Sequence, residues 1–562
     1  MYSNKIKTLT TAILIYNYNT MRKFTLLLSI IILINTGLFA QGIVPLGDGT
    51  QSNPYQIAIL DNLLWLSTTH DLPQPVYIIQ TADIDAADTQ NWDHGVNGAG
   101  MRPIGLANYH FVVFYDGLNH TITNLYQSFP WDHAGMFGII YNSVISNLTL
   151  INTVNESDCK YVGALVGRSY SSSIVNCASE NGNISGVFYV GGLVGEMRLN
   201  DESTGDSEIL FCFATGSVYG NSWVGGLIAT VQSTLIDNCY VVMDDVIAGA
   251  DVGGFLGNSY GCEITNCMAT ADVYVSGNAG RAGGFAHGLG NSTVNNCSSE
   301  GEVLGDDYLG GFSCHISNNS VVTNCFSSAD VYSVWGTSGG FLANNQDYAV
   351  IKNCYSYGYV DDGGGFAGDV SSDYIVCENN FWDVETSSQT SGLEYGNQTG
   401  ITGKSHADML SVATYTDTTT NGLNTAWDFL GDPFDDNQYE DIWNIDGTTN
   451  NGYPFFADPI YTAIQEQKPE KVLLKNNYPN PFSYFTSIAF SIEKDSRVEL
   501  IIYNFKGQKI TTLTDKKYLK GEYTLVWDRT DENNCTVLSG MYFYQLNVNN
   551  RTIAIKKCIL IN

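Results

Sequence analysis

The sequence predicts an all-β protein: a parallel, right-handed, three-sided β-solenoid of about nine coils with capping regions, followed by a small immunoglobulin-like β-sandwich. A glycine-rich strand of the type V-G-G-L-V-G recurs at intervals of 25 to 34 residues. Most copies are followed by a cysteine, 13 to 15 residues after the first glycine. A period of this length is typical of stacked supersecondary units. Alternating apolar and polar residues near the C-terminus predict the sandwich.

The first forty residues have the features of an export signal, residues 21–40, with a spurious extension, residues 1–20, in front of it. A basic start precedes an apolar run at 24–34 and an exit made of small residues. We expect cleavage between Ala40 and Gln41. Because the apolar run is short and no later segment approaches 18 apolar residues, no transmembrane span is expected after the signal is removed.

The charge is strongly acidic but unevenly distributed. Residues 42–463 hold 47 acidic side chains against 7 basic ones, whereas residues 464–562 hold 10 against 14. Phosphate recognition depends on clustered lysine and arginine, so the acidic part argues against binding nucleic acid or anionic lipid. The contrast also predicts two bodies of different character.

One coil, residues 252–276, shows how the pattern predicts three short strands. Val252 to Gly257 is the first strand, in which glycines let neighbouring backbone approach closely. Ile264 and Cys267 are three residues apart yet both apolar, so we expect a bend between them. Asn266 occupies the bend, because asparagine tolerates the left-handed conformation that a sharp corner requires.

The corner asparagines are expected to form an amide ladder from coil to coil. They are Asn176, Asn238, Asn266, Asn296, Asn324 and Asn353. After the corner, the alternation predicts inward side chains at Ala269, Ala271 and Val273, and outward side chains at Met268, Thr270 and Asp272. Small inward residues predict a narrow, filled interior, so any functional site must lie on the outside.

The sequence has thirteen cysteines, a number that would ordinarily suggest disulfides in an exported protein. Eight of them share one repeat position and predict a buried thiol ladder, because neighbours about 4.8 Å apart that point the same way have poor disulfide geometry. These are Cys177, Cys212, Cys239, Cys267, Cys297, Cys325, Cys354 and Cys377. Cys535 and Cys558 could pair in the C-terminal domain.

The repeat covers residues 134–378, counting a degenerate first coil. Because an open coil exposes strand edges, both ends need caps. Residues 41–133 are the expected N-terminal cap with the first strands, and residues 379–457 the C-terminal cap. Residues 458–476 contain proline with a mixture of lysine and glutamate and predict a linker. The sandwich is expected over residues 477–562.

The repeated G-G-L-x-G strand resembles that of proteins with the GLUG motif. The likeness extends to the caps. Gly47-Asp48-Gly49-Thr50, Arg102-Pro103-Ile104-Gly105 and Phe114 to Ile122 look like that family's N-terminal capping strands, and Phe381 to Glu385, Trp427-Asp428-Phe429 and Gly452 to Phe455 look like its closure. The resemblance implies a β-solenoid over nearly the whole of residues 43–457.

The C-terminal segment resembles a type IX secretion system type A sorting domain. Asn477-Tyr478-Pro479-Asn480-Pro481-Phe482 opens it, and Ser539 to Tyr544 and the basic pair Lys556-Lys557 complete the pattern. The resemblance implies that the type IX machinery recognises residues 477–562 and carries the protein across the outer membrane, to be secreted or held at the cell surface.

No catalytic residue and no resident cofactor are predicted. A related solenoid occurs in large bacterial zinc peptidases, but H-E-x-x-H is absent here, as are the G-x-S-x-G elbow and the P-loop. Parallel β-helices also carry polysaccharide lyases and hydrolases, whose carboxylates converge on one outer face. The aspartate pairs Asp244-Asp245, Asp306-Asp307 and Asp361-Asp362 are candidates. The last two pairs precede the glycine strand and could bind Ca²⁺, although aspartate also favours plain turns.

Three tyrosines give a binding hypothesis. Tyr355, Tyr357 and Tyr359 project outward from one strand and could stack on sugar rings or on a partner protein. Since they belong to the last regular coil, the closure could instead cover them.

The expected function is that of a secreted or cell-surface repeat protein, non-catalytic and adhesin-like, that binds an extracellular glycan or protein. Two alternatives stay open: a carbohydrate-active enzyme with a carboxylate cleft on the solenoid face, and a structural matrix component.

Overall fold

A computed structural model of the chain confirms the all-β solenoid, with 57% strand and 6% helix. It describes residues 42–69, 71–92, 98–105, 111–199, 207–277, 280–334, 336–345, 347–370, 375–396, 399–421, 423–431, 441–457, 473–474, 477, 482–492, 496–504, 508–532, 535–537, 539–548 and 551–560. The export signal and the cleavage pair Ala40 and Gln41 lie outside these residues. The chain divides into two compact units, residues 1–458 and 459–562.

The coil at 251–275 contains four strands rather than three. They are Asp251–Gly253, Leu256–Tyr260, Glu263–Thr265 and Met268–Val275. The predicted single strand from Val252 to Gly257 is therefore wrong, because the chain turns at Gly254. A Cβ atom on Gly254 would lie 2.0 Å from the carbonyl oxygen of the next coil. The second glycine of the repeat thus makes a close-packed corner.

Three stacks of strands form the sides of the solenoid. The first, of seven parallel strands, contains Lys160–Val162, Phe188–Gly191, Ser222–Gly225, Asp251–Gly253, Arg281–Gly283, Leu309–Gly310 and Ser338–Gly339. The second, of ten parallel strands, contains Phe137–Tyr141, Val166–Tyr170, Val194–Arg198, Ile228–Gln232, Leu256–Tyr260, Ala286–Gly290, Ser313–Ser317, Leu342–Asn345, Ala367–Val370 and Leu393–Gly396.

The third stack is a 26-stranded sheet that continues around the asparagine corners. It contains Tyr55–Ile57, Val76–Gln80, Ile84–Asp85, Ala99–Gly100, Val113–Thr123, Tyr126–Ser128, Val144–Ile151, Val154–Glu156, Ser173–Ser185, Glu208–Leu210, Phe213–Gly220, Leu235–Asp237, Tyr240–Ala248, Glu263–Thr265, Met268–Val275, Thr293–Asn295, Ser298–Glu300, Glu302–Gly305, Ser320–Thr323, Phe326–Ser327, Asp330–Ser333, Ala349–Lys352, Tyr355–Ser356, Ile375–Glu378, Asn380–Asp383 and Ile401–Lys404. Its strands run parallel apart from the pair Ala99–Gly100 and Tyr126–Ser128.

The solenoid has about ten turns, one more than the repeat indicates. The additional strand, Leu393–Gly396, comes from the predicted C-terminal cap and pairs in parallel with Ala367–Val370. The N-terminal cap also contributes parallel strands to the large sheet, and its α-helix, Leu60–Thr68, places Leu63 and Leu66 in the core. A short 3₁₀ helix, Ala87–Asn91, follows in the same cap. The caps are thus continuous with the solenoid, because their strands extend the same ladders.

The asparagine corners are confirmed. Asn266 has a φ of 52°, and the other predicted corner asparagines have φ values between 51° and 54°. The amide ladder is interrupted, however. Asn296 donates to Asn266 over 3.2 Å, whereas Asn266 donates to Asp237 over 3.0 Å. Asp237, one position before the corner Asn238, therefore replaces that asparagine as the acceptor.

Seven of the eight predicted ladder cysteines are stacked and buried, and all thirteen cysteines are free thiols. Cys377 is the exception, since it is only partly buried and pairs in register with Ile351. Asn380 takes the ladder position instead and accepts a hydrogen bond from the Cys354 backbone N–H over 3.0 Å. The predicted pair Cys535 and Cys558 is not formed, because Cys558 is buried in the core of its domain and Cys535 is exposed.

The predicted inward residues Ala269, Ala271 and Val273 are buried. Met268 is buried as well, although its side chain is predicted to point outward. Its register places it in an outward column with Ser298 and Phe326. The column is covered from Phe326 onward by the segment at 405–457, which the alternation along a single strand does not reveal.

The segment at 405–457 packs against the outer face of the large sheet rather than closing the end of the solenoid. It contains the helices His406–Met409 and Val412–Thr416, the 3₁₀ helix Thr449–Gly452 and the strand pair Trp443–Asn444 and Phe455–Phe456. Trp382 closes the interior. It is aligned in register with Ser356, in a column of otherwise small inward residues, and is 2% exposed. Trp382 fits because Gly365, Gly392 and Gly403 leave space around its ring.

A buried carboxylate fixes this segment to the solenoid. Asp383 is fully buried and accepts hydrogen bonds from the Tyr453 hydroxyl over 2.6 Å and from the backbone N–H groups of Glu385 and Thr386. Nδ1 of His406 lies 3.0 Å from the same carboxylate. Several donors to one carboxylate compensate for its burial.

The C-terminal unit has two antiparallel sheets that share one core. The three-stranded sheet contains Leu473–Leu474, Thr486–Ile492 and Gly521–Trp527, and the four-stranded sheet contains Ser496–Asn504, Lys509–Tyr518, Gly540–Val548 and Arg551–Leu560. The predicted small β-sandwich is confirmed. Near its start, the Asn477 backbone N–H donates to the Tyr544 hydroxyl over 3.0 Å, which attaches the opening motif to the sandwich.

Candidate functional site: an acidic and tyrosine-rich face

Two of the three tyrosines proposed as a binding row are covered. Tyr355 is fully buried, and Tyr357 is 9% exposed with its ring 3.8 Å from that of Tyr453. The Tyr357 hydroxyl donates to Asn450 over 2.6 Å. Only Tyr359 keeps an accessible side chain, and its hydroxyl donates to Asp361 over 3.2 Å. The closure therefore covers this row, as in the second of the two readings of the sequence.

The proposed calcium pairs do not form a ready cation site among the described residues. Asp306 and Asp307 are partly buried, whereas Asp361 and Asp362 are exposed. The two pairs are separated by an intervening coil, in which Gly336 packs against the Asp307 backbone. Within the described ranges, three candidate ligand side chains approach within 4.8 Å of one another only at His287, Cys314 and His315.

A different outward surface brings acidic and aromatic side chains together. It consists of the outward side chains in five successive coils, at 217–219, 245–247, 272–274, 302–304 and 330–332, and we call it the acidic tyrosine face. The strands that carry it start after the bend that follows the cysteine ladder, and they pair in parallel from coil to coil. Inward valines anchor each strand in the core.

Tyrosines occur on this face in every second coil. The register runs from Tyr219 through Ile247, Tyr274 and Leu304 to Tyr332. Because strands in a sheet are about 4.8 Å apart, neighbouring tyrosines are about 9.6 Å apart. Each of the three tyrosines is partly exposed, and Leu304 between them is 40% exposed.

A column of carboxylates runs beside the tyrosines, formed by Asp245, Asp272, Glu302 and Asp330. Asp272 accepts a hydrogen bond from the Glu302 backbone N–H over 3.0 Å. Asp330 accepts one from the Tyr359 backbone N–H over 2.8 Å. One oxygen of Asp272 and one of Asp330 thus link each coil to the next one. Four like charges on adjacent coils nevertheless make this the most strongly acidic strip of the face.

The electrostatic consequences are visible in the pKa values of the side chains. Burial, followed by repulsion from Asp272, raises the pKa of Asp245 above its usual value. Burial raises the pKa of Tyr274, and the neighbouring carboxylates Asp272 and Glu302 raise it further. The same combination of burial and carboxylates raises the pKa of Tyr332. These phenols stay protonated at neutral pH and keep a hydroxyl that can donate.

In other aromatic columns of the solenoid, rings of adjacent coils stack on one another. Tyr161 stacks on Tyr189 with centroids 4.8 Å apart and planes within 4°. Phe285 and Phe312 stack in the same way inside the core. In contrast, Tyr332 and Tyr359 are tilted by 42°, and the aliphatic residues Ile247 and Leu304 separate the tyrosines of the acidic tyrosine face. This face thus combines separated tyrosine rings with a carboxylate column.

Sequence reasoning missed this face, although a signal exists. The tetrapeptide A-D-V-Y occurs at 271–274 and again at 329–332, two coils apart, and S-V-Y occurs at 217–219. The cysteine-based alignment extends parity only as far as Val273 and so does not include Tyr274. The interval of two coils between these tyrosines becomes visible when the coils are aligned by their last strand.

Comparison with known proteins supports the two recognised parts of the chain. Residues 476–562 match the family model described as a secretion system C-terminal sorting domain, and residues 248–274 match the model of the GLUG motif. The chain is thus a GLUG-motif β-solenoid with a type IX sorting domain. The sorting domain implies handling by the type IX secretion machinery and points to secretion or attachment at the cell surface.

Similar proteins add little about the role. Over 168 residues the chain is 32% identical to Halomucin of Haloquadratum walsbyi. The matched region is 29% of this chain but only 2% of Halomucin. A candidate immunoglobulin A1 protease from Bacteroides ovatus is 21% identical, with a TM-score of 0.39 over 53% of this chain and 86% of that one. Latent PorU from Porphyromonas gingivalis is 22% identical, with a TM-score of 0.16 over 19% and 10% of the two chains.

Among the residues that the structure describes, no helix is long and apolar enough to cross a membrane.

Proposed function

We propose that this exported protein is a non-catalytic, adhesin-like binding protein and that its acidic tyrosine face binds an extended extracellular glycan. The observation that carries the proposal is the occurrence of partly exposed tyrosines in alternate coils beside a carboxylate column. Tyrosine combines an apolar ring face with a polar tip, which suits contact with the two kinds of surface on a sugar. Carboxylates accept hydrogen bonds only, which suits sugar hydroxyl donors.

The geometry favours a linear ligand. The tyrosine interval of about 9.6 Å is comparable to the length of two pyranose rings in an extended chain. Because Tyr219, Tyr274 and Tyr332 share one register position, successive tyrosines present equivalent positions. A repeating polymer can occupy several of them at once, and linked weak contacts then add to a higher overall affinity.

The charge of the face favours a neutral glycan. A polyanion would be repelled by Asp245, Asp272, Glu302 and Asp330 unless divalent cations lay between them. We therefore expect binding to neutral polysaccharides without calcium, and binding to acidic polysaccharides only when calcium is present. The expected calcium requirement for acidic polysaccharides thus follows from the carboxylate column.

The test is glycan and host-protein array binding by the exported chain, with and without calcium, compared with a variant in which Tyr219, Tyr274 and Tyr332 are changed to alanine. We expect the triple variant to lose at least tenfold in affinity while its thermal melting stays close to that of the wild type. The matched control is Tyr260→Ala, since Tyr260 is 48% exposed and lies off this face. Equal loss in the control, or unchanged binding in the triple variant, would count against the proposed face.

A carbohydrate-active enzyme is the second candidate. Asp244 and Asp245 both have raised pKa values, with burial as the first cause and neighbouring carboxylates as the next, and shifted carboxyl groups are typical of acid and base catalysts. The test is incubation with a polysaccharide panel. Shortened products formed by the wild type but not by Asp245→Asn would favour this candidate. A structural matrix role would be favoured if the arrays detect no ligand.

A further inference from the structure

One position of the repeat carries unusual side chains in two successive coils. The position is the second residue of strands in the ten-stranded sheet. The register of that sheet aligns Gly138, Gly167, Gly195, Ala229, Gly257, His287, Cys314, Ala343 and Gly368 there. Glycine or alanine is the rule because the neighbouring backbone is close. A Cβ atom on Gly257 would lie 2.2 Å from the Ala229 carbonyl oxygen. Histidine and cysteine are therefore exceptions at a crowded position.

His315, next in sequence to Cys314, joins these two side chains. The candidate ligand atoms of His287, Cys314 and His315 all lie within 4.8 Å of one another. The two imidazole rings have centroids 4.7 Å apart and planes at 81°. Gly288, aligned with His315 in the preceding coil, makes room, because a Cβ atom there would lie 2.6 Å from Nε2 of His315. The neighbouring coil is thus shaped around the His315 ring.

His287 and Cys314 are buried, His315 is partly exposed, and one ring nitrogen of His287 has no hydrogen-bond partner among the described residues. His287 is 7% exposed and Cys314 is 1% exposed. This nitrogen of His287 is Nε2. A buried polar atom without a partner destabilises a fold unless something else binds it. The imidazole ring of His287 therefore has a buried nitrogen that an ion could bind.

The nearby aspartate does not account for His287. Oδ1 of Asp251 lies 3.3 Å from Nε2, but the geometry is not that of a hydrogen bond. Asp251 already accepts Nε of Arg281 over 2.9 Å, and its other oxygen accepts the Ser222 hydroxyl over 2.9 Å. Because Arg281 neutralises the carboxylate, a histidine is not needed there as a counter-ion.

We propose that His287, Cys314 and His315 bind one divalent transition-metal ion, best matched by zinc. Imidazole nitrogen and thiolate sulfur are the ligands that zinc prefers, at about 2.0–2.3 Å in tetrahedral geometry. Calcium does not suit this set, because it takes oxygen ligands. The ion would connect the coil of His287 to the coil of Cys314 and His315.

The expected role is structural. Cys314 is almost inaccessible, so a substrate could not reach it, and structural zinc sites are enclosed in the same way. Binding of the ion to the folded chain alone would stabilise the fold by mass action. The site would act in the middle of the solenoid, at the two coils where the close-packed glycine column is interrupted.

The experiment uses the full exported chain with Cys535→Ser, which removes the exposed thiol, and no histidine tag. The chain is stripped with chelator, reconstituted with Zn²⁺ or Co²⁺, dialysed and analysed. We expect about one metal ion per chain, a thiolate-to-cobalt charge-transfer band and a higher melting temperature in the metal-loaded form. If the reconstituted chain retains less than about 0.1 metal ion per chain after dialysis, the proposal is wrong.

The variants separate this site from other thiols. His287→Gly and Cys314→Ala each introduce a residue type already used at this position, and His315→Asn copies the aligned Asn344 of the next coil. We expect each to lose the cobalt band and the metal-dependent rise in melting temperature while the metal-free form melts as a folded protein. Cys262→Ala, at a buried cysteine elsewhere, is the control and should keep both. Should Cys314→Ala keep the thiolate band, or Cys262→Ala abolish it, the assignment is wrong.

Discussion

Replacement of Tyr355 by alanine should open the segment at 405–457 without unfolding the solenoid. The Tyr355 ring is fully buried, with its centroid 5.1 Å from Phe326 and 5.9 Å from Trp443. Its hydroxyl donates to the Pro454 carbonyl and accepts from Nδ2 of Asn450. Removal of a buried aromatic ring lowers the free energy of unfolding by about 3–5 kcal/mol.

The conservative change Tyr355→Phe should have a much smaller effect. Asn450 also donates to the Pro454 carbonyl over 2.7 Å, so that oxygen keeps a partner after the hydroxyl is lost. We therefore expect a loss of about 1 kcal/mol, the net value of one hydrogen bond. Tyr359→Ala is the matched control, because this ring is partly exposed, and its effect should be about 0.5 kcal/mol.

Hydrogen exchange measured by mass spectrometry can detect this opening locally, in peptides from 441–457. A loss of 3 kcal/mol corresponds to exchange about a hundredfold faster, since each 1.4 kcal/mol is tenfold. Peptides from the coils before Phe326 should be unaffected. The reasoning would be refuted by unchanged exchange at 441–457 in Tyr355→Ala, or by an equal effect of Tyr359→Ala, because either result means that the segment does not depend on the buried ring.

Three further predictions concern the corners, the thiols and the acidic tyrosine face. Asn266→Ala should be less stable than Asn266→Gly by about 1 kcal/mol in denaturant titration, because the left-handed corner strains alanine but not glycine, although both lose the amide bonds. A thiol reagent at pH 8 should label Cys535 rapidly and the buried ladder cysteines only after denaturation, since burial raises the pKa of thiols such as Cys267. Asp245→Asn should raise the melting temperature at pH 7. The folded pKa of Asp245 lies above its unfolded value of 3.8, so its charge destabilises the fold above the folded pKa, and the advantage of the variant should vanish as the pH falls below 3.8. An advantage that grows on acidification would contradict this sign.

The corner and ladder residues show how far a repeat can be interpreted from the sequence. Asn266 and Cys267 were placed correctly because each recurs at a fixed interval and each has one strong physical preference, for the left-handed conformation and for burial respectively. Cys377 was placed wrongly. Its spacing is one residue shorter, and register in the last coil is set by pairing with Ile351 rather than by residue type.

The outer surface was less predictable. Parity along a strand tells which side chains point outward, but an outward side chain can still be covered by a distant part of the chain. Tyr355 and Met268 are outward and buried, whereas Tyr274 and Tyr332 are outward and partly exposed. For Tyr355 the cover is the segment at 405–457, which folds back over part of the sheet and packs Trp443 against its ring. The candidate site therefore contains the accessible Tyr274 and not the buried Tyr355.

The sequence by itself determined the solenoid, its corners and its filled interior, because each depends on a periodic preference for conformation or burial. The sorting domain was identified by the resemblance of its motifs to a known family. Only the tertiary structure decided which outward residues are accessible and which side chains from different coils meet. His287 and His315 are 28 residues apart and share no short motif, yet stacking of adjacent coils brings their rings within 4.7 Å. The physical reason is that register between coils is a long-range property, fixed by hydrogen bonds and close packing across the stack.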